Sequence, residues 1–449
     1  YLPHLISGHW TGTMNLTEPQ AGTDLAAIRT TATKNGDHYL MKGQKIFITF
    51  GEHDFTENII HLVLARIDGL PEGNDGLGLF IVPKFLVNEN GSLGARNDVK
   101  AVSLEHKLGI HGSPTCVMQY GEKDGAIAYL VGEEGKGLRN MFTMMNNARI
   151  AVGLQGVALS EAAYQHALAY ARDRVQCSRL GDKTGTRVAI IEHPDVRRML
   201  LTMKANTEAS RALAYYAGGM LDRLRHGADV ATRAAAEARA DLLTPLVKSW
   251  STDLALETTS AGIQIHGGMG FIEETGAAQF YRDARILPIY EGTNGIQAND
   301  LVFRKVLRDG GAEAKKFIAE MQDYLKTLTE KPSDDLDVIQ GALDKAVAAL
   351  IETTDWILAN AKSNTDAVAA GAVAYQRQFS VVAGGYMMAR LAKAAHEALF
   401  DPAGDALFYN THLVTARFFA EAILPQVFGL STPIMGGNAA VSQIANDQF

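Results

Sequence analysis

Three separated segments concentrate residue types that can do chemistry. The first is Thr17-Glu18-Pro19-Gln20-Ala21-Gly22-Thr23-Asp24, followed by Phe47-Ile48-Thr49. Glycine lets backbone N–H groups approach an anion or a ring edge, and threonine hydroxyls donate or accept in any direction. The same residues would also make an ordinary Asx-type turn. The second segment is Gln264-Ile265-His266-Gly267-Gly268-Met269-Gly270. One glycine suffices to end a helix, so three so close together point to something large lying against the backbone. The third is Pro288-Ile289-Tyr290-Glu291-Gly292-Thr293-Asn294. Thr293 or Asn294 suits a helix N-cap. Glu291 follows apolar residues, and partial desolvation of its carboxylate would raise its pKa and make it a better base.

Other patterns carry less. Gly132-Glu133-Glu134-Gly135-Lys136-Gly137 superficially resembles a phosphate loop, but glycine follows the lysine where a metal-holding hydroxyl is needed. The 13 histidines are scattered, and His4 and His9 read as loop residues rather than metal ligands. Two cysteines, Cys116 and Cys177, have no metal-ligand spacing, which excludes a disulfide framework. A reducing compartment fits: the cytoplasm, or the mitochondrial matrix in a eukaryote. A net charge of −8 over 449 residues, with 47% hydrophobic and 20% charged residues, fits a folded protein without the basic face of a nucleic-acid binder. The most apolar run, around Ile423, is broken by Arg417, Glu421 and Pro425, so no membrane span is expected.

The elements that must position these segments divide the chain into three. Residues 1–126 read as a β-barrel or sandwich of six or seven strands, among them 38–41, 44–49, 62–67, 77–82, 99–104 and 115–120, with a turn at Lys42-Gly43. Residues 127–310 read as a helical bundle, with long helices over 137–173, 194–224 and 229–264, the last bent at Pro245. Residues 311–449 form an additional C-terminal helical domain, with helices near 313–328, 335–361, 365–399 and 404–424. Met387 and Met388 are expected to pack as core there. The fold class is α+β.

Together the segments resemble the acyl-CoA dehydrogenase family over about Leu5 to Leu307. The ordered set TEP-x-AGTD, K-x-FIT, HGGMGF, RDARI and YEGTN carries the likeness. The resemblance implies a middle β domain and a four-helix bundle, with the family's N-terminal helical domain missing from this chain. The natural chain would then be nearer about 600 residues. It implies FAD as cofactor, with no metal, and an acyl-CoA substrate sandwiched between flavin and Glu291, the catalytic base. Leu16, Thr17, Phe47 (for a usual Trp) and Thr49 match flavin contacts. Arg174, Gln176 and His193 match contacts to the FAD of a neighbouring subunit, Gln264 and Gly268 adenosine-side contacts, and Thr293 a further FAD contact. Thr23, Asn146, Arg149 and Gly292 match substrate contacts, Arg149 lying near the CoA diphosphate.

The loop from Ser178 to Ile191 and the C-terminal domain place the chain with an extended subgroup that is similar to dehydrogenases of 3-(methylthio)propanoyl-CoA. Expected partners are an electron-transferring flavoprotein and copies of the same chain, as a homodimer or homotetramer. Other readings of the residues are a medium- or long-chain fatty acyl-CoA dehydrogenase, an acyl-CoA oxidase and a non-catalytic helical scaffold. A membrane-surface role for residues 331–449 is a further alternative.

Overall fold

The computed structural model describes residues 1–328, 333–401, 403–436 and 439–449. The chain divides into two compact units, residues 1–147 and 148–449.

In the first unit a short helix α1 (Leu2–Ser7) precedes ten strands among the described residues. They are β1 (Trp10–Asn15), β2 (Thr31–Asn35), β3 (His38–Thr49), β4 (Asn58–Ile67), β5 (Leu77–Pro83), β6 (Phe85–Val87), β7 (Leu93–Arg96), β8 (Val99–Leu104), β9 (Thr115–Tyr120) and β10 (Ala126–Leu130). Eight form one sheet in the order β1-β4-β5-β10-β3-β9-β8, with β2 beside β3 and β4, while β6 and β7 pair separately. Alternate residues such as Tyr39, Met41, Val63, Phe80, Met118 and Tyr120 point into its core.

The expected turn at Lys42-Gly43 is instead the middle of β3. Gly43 passes so close to Thr30 that a Cβ would lie 2.4 Å from its Oγ1, so this glycine serves close packing. The sequence reading passed over β1 and β2, whose alternation polar residues interrupt (Thr-Gly-Thr, Lys-Asn), and the short β6, β7 and β10.

Helix α2 (Gly137–Asp173) begins in the first unit, where Leu138, Met141, Phe142 and Met145 pack with Leu64, Leu77 and Leu79. The second unit holds the rest of α2 and a hairpin of β11 (Val175–Ser178) and β12 (Arg187–Ala189). Then come α3 (Pro194–His226), α4 (Val230–His266), α5 (Ala277–Ala284) and α6 (Asn294–Asn299). Pro194 opens α3, and Asp229 caps α4 by accepting from the Thr232 N–H at 2.7 Å. Helix α4 runs through Pro245 without a break.

The C-terminal helices are α7 (Ala312–Thr327), α8 (Asp334–Asn360), α9 (Thr365–Ala398), α10 (Ala406–Phe418) and α11 (Gln426–Met435). They share one core with the bundle: Trp250 and Leu254 of α4 join Phe317, Phe379, Met387 and Phe419. By length and composition alone the segment Ala406–Gln443 is long and apolar enough to cross a membrane, and 44% of its apolar window is buried inside the protein.

Candidate active site

In the first unit, two of the singled-out segments are fastened together. The Glu18 carboxylate accepts from the backbone N–H groups of Arg29 (2.8 Å) and Thr30 (3.0 Å), and from the Lys45 ammonium at 2.8 Å. Lys45 also donates to the Leu16 carbonyl at 2.9 Å, and the Ile46 N–H donates to the Thr17 carbonyl at 2.9 Å. Both side chains are buried, 0% exposed for Lys45 and 3% for Glu18. Burial pushes Glu18 up, but Lys45 and the N–H groups outweigh it and hold the carboxyl at about 2.

Leu16 and Thr17 are thereby set beside the end of β3, where the register with β9 shifts between Lys45 and Ile48. Phe47 lies in this bulge with φ +61° and its ring 60% exposed; Thr49 is exposed nearby. An exposed aromatic face flanked by hydroxyls is a donor set that fits a planar ring with polar edges. Thr23 is exposed, and Asn146 is half-buried at the end of this unit. Lys45 is the lysine of the K-x-FIT motif, a position that motif reading left without a role of its own.

In the second unit, Glu291 sits on the turn between α5 and α6. The turn is closed by the Asn294 N–H donating to the Pro288 carbonyl at 2.9 Å, and Thr293 caps α6 through the Ile296 N–H at 3.3 Å. Glu291 and Gly292 both adopt left-handed backbone, φ +55° and +84°. For a glutamate this costs about 1–3 kcal/mol, strain that the surrounding contacts must hold in place. The φ of +84° at Gly292 lies in the left-handed region that favours glycine, and a Cβ there would also lie 2.7 Å from the Gln297 Nε2.

The half-buried Glu291 carboxylate has no hydrogen-bond or ion-pair partner among the described residues. Burial raises its pKa, and the charges of Arg149 and Lys248 lower it in part. Arg149, 6% exposed, pairs with Asp300 at 3.6 Å, and its Nη2 lies 3.8 Å from where a Gly292 Cβ would stand. The structure thus brings Glu291, Gly292, Thr293 and Arg149 together. It adds Lys248, a fully buried residue of α4 that motif reading missed.

A second group lies at the far ends of α2 and α4, about 24 Å along α4 from Lys248 to Gln264 at about 1.5 Å per residue. There His266 stacks on Tyr170 at 4.4 Å and on His166 at 4.7 Å. Gly270 is closely packed, since a Cβ would meet the Ile263 carbonyl at 2.3 Å, whereas Gly268 faces open space. Gln264, Arg174 and Gln176 are exposed. His193 anchors the hairpin by donating from Nε2 to the Gln176 carbonyl at 2.8 Å. An open glycine backbone, a guanidinium and two amides fit phosphates and polar ring edges.

Family models match the chain throughout. The acyl-CoA dehydrogenase middle domain matches residues 13–122, the acyl-CoA dehydrogenase C-terminal domain residues 135–305, and an acetyl-CoA dehydrogenase C-terminal-like domain residues 317–445. The chain is similar to 3-methylmercaptopropionyl-CoA dehydrogenase of Ruegeria pomeroyi, 54% identical over 425 residues, covering 94% of this chain and 71% of that protein. It is similar to a butyryl-CoA dehydrogenase of Syntrophomonas wolfei, 40% identical over 439 residues, covering 96% and 72%. Among solved structures, an acyl-CoA dehydrogenase of Bacillus anthracis complexed with FAD superposes with a TM-score of 0.76 at 23% identity. That match covers all of this chain and 72% of the other. This chain therefore belongs to the acyl-CoA dehydrogenase family.

Proposed function

We propose that the protein dehydrogenates an acyl-CoA thioester between its α- and β-carbons, giving a trans-2-enoyl-CoA, with Glu291 as the base. The observation that carries the role of Glu291 is its carboxylate. It is half-buried, left without a partner, and held on a strained turn between two cationic side chains. Desolvation strengthens it as a base, while the charges of Arg149 and Lys248 offset part of that rise. Proton removal from the α-carbon builds negative charge on the thioester oxygen, and the Glu291 backbone N–H is the donor proposed to receive it.

FAD would be held by Leu16, Thr17, Phe47 and Thr49 at its flavin and, when bound, supplies the acceptor for the hydride leaving the β-carbon. Thr293 is the remaining contact. Arg174, Gln176, His193, Gln264 and Gly268 would serve the FAD of a second copy, since they lie far along the helices from Glu291. A homo-oligomer follows from that division. Thr23, Asn146, Arg149 and Gly292 are the proposed substrate contacts. Arg149 is buried and paired with Asp300, and its charge also acts on Glu291.

The proposed substrate is 3-(methylthio)propanoyl-CoA, supported by 54% identity to a dehydrogenase named for that thioester. An electron-transferring flavoprotein is the proposed acceptor of the electrons. Both cysteines, buried Cys116 and exposed Cys177, are free thiols, in keeping with a cytoplasmic setting. Anaerobic bleaching of the flavin by a panel of acyl-CoAs tests the reading. Fastest bleaching by the methylthio thioester supports it. Equal bleaching by straight chains removes the substrate, and no bleaching by any removes the activity.

A further inference from the structure

Lys248 of α4 is 0% exposed, and among the described residues no carboxylate pairs with it directly. Its ammonium donates to two neutral oxygens, the Gly292 carbonyl and the Asn294 Oδ1, both at 2.8 Å. Those residues flank Thr293, and Gly292 follows Glu291 directly. Asn294 carries the contact onward, its Nδ2 donating to the Ser249 carbonyl (3.2 Å), the Thr252 Oγ1 (3.0 Å) and the Asp253 carboxylate (2.7 Å).

Burying a cation is costly, and a neutral side chain would fill the space more cheaply. The turn it grips is the one that forces Glu291 into left-handed backbone, a conformation that persists only when surrounding contacts over-determine it. Side chains from α6 and its cap also hold the turn, the Gln297 Nε2 donating to the Glu291 carbonyl and the Thr293 Oγ1 accepting from the Ile296 N–H, both at 3.3 Å.

Resting on the reading of Glu291 as the base, we propose that Lys248 is the positioning residue of the reaction. Its ammonium clamps the backbone of the catalytic turn to α4, so that the Glu291 carboxylate is presented without a partner of its own. It does so from a distance that lets its charge act on Glu291 without consuming the carboxylate in a salt bridge.

The clamp has a support behind it. One turn earlier on α4, the Pro245 carbonyl accepts from the Gln376 Nε2 of α9 at 3.2 Å. The C-terminal helices therefore brace the segment that carries Lys248.

The charged and titratable groups acting on Glu291 are Arg149 from α2 and Lys248 from α4, with Tyr290 beside it. Asp300 and Arg304 act on Arg149, and Asp253 on Lys248. Removing Lys248 removes one of the two cations that lower Glu291, so the acid limb of the rate must move to higher pH.

The test uses the full chain loaded with FAD and follows anaerobic flavin bleaching by butyryl-CoA and 3-(methylthio)propanoyl-CoA from pH 5 to 9. For Lys248→Met the expected result is a bleaching rate about 10²-fold lower, as displacement of a reacting group by about 1 Å produces. KM and FAD content should be little changed, and the acid limb should shift upward. An unchanged rate overturns the proposal. So does a lower rate with an unmoved acid limb, which would reduce the lysine to packing.

If Lys248→Met does not fold, Asn294→Ala reads the same clamp from the other side. It should slow bleaching while keeping FAD, and a wild-type rate overturns the proposal. Failure of the underlying reading looks different: the wild-type protein is then bleached by neither thioester, or Glu291→Gln keeps the full rate.

Discussion

Among the described residues two lysines are completely buried, and each works beside a glutamate, but to opposite ends. Lys45 meets Glu18 directly at 2.8 Å, and the carboxylate is further filled by two backbone N–H groups. The pair is saturated, Glu18 sits at about 2, and the result is a rigid joint between the loop at Leu16–Thr17 and the end of β3. Lys248 instead spends its donors on a carbonyl and an amide oxygen, and Glu291 is left unsatisfied with a raised pKa. The same two residue types thus give a structural fastener when they touch. When the backbone is interposed, they leave a carboxylate unpaired with a raised pKa, as the proposed base requires.

Replacing each glutamate by glutamine breaks the comparison most directly. Glu291→Gln should lose about 10²–10⁴-fold in turnover, the usual worth of a general base, while still binding FAD and acyl-CoA. Its stability should move the other way. Because the folded chain raises the Glu291 pKa, its ionisation at neutral pH costs stability, a cost absent below the unfolded value and growing as pH rises. Calorimetry at pH 7 should therefore find a melting temperature equal to or above wild type. A marked drop would mean that Glu291 is a structural acid.

Glu18→Gln should do the reverse, with a loss of about 3–5 kcal/mol from an unpaired buried Lys45. For Glu18 the folded pKa of about 2 lies below the unfolded value of 4.5, so its stabilisation is present above 4.5 and lost as pH falls through 2. Acid titration of unfolding should show that slope in wild type, and a flatter one in Glu18→Gln. The smallest expected effect is that of Thr293→Ala, which removes the cap of α6 and should cost about 1 kcal/mol by denaturant unfolding. If it also slows bleaching without shifting the acid limb, it separates the position of the turn from its charge.

Much of this was legible in the residues. The long helices showed their ends through Gly137, Pro194 and Asp229, because caps and first-turn prolines are local signals. Glu291 stood out through its apolar approach and the glycine behind it. What stayed hidden depends on contacts distant in sequence. Lys45 reaches back 27 residues to Glu18, and Lys248 reaches forward 44 to Gly292, and no spacing rule encodes either. Gly43 reads as a turn until Thr30 is seen lying against it. The division into three domains has the same character: the change near Gly311 is real in sequence, but the helices on either side bury their apolar faces in one another.

That common interior has a consequence for how the molecule comes apart. Gly384 of α9 lies so close beneath Trp250 of α4 that a methyl group there would sit 2.2 Å from the indole. A surface so interlocked cannot open one helix at a time without exposing the other, so residues 148–449 should melt in a single cooperative transition. Cutting away α7 to α11 would then yield a collapsed or aggregating bundle rather than a smaller enzyme.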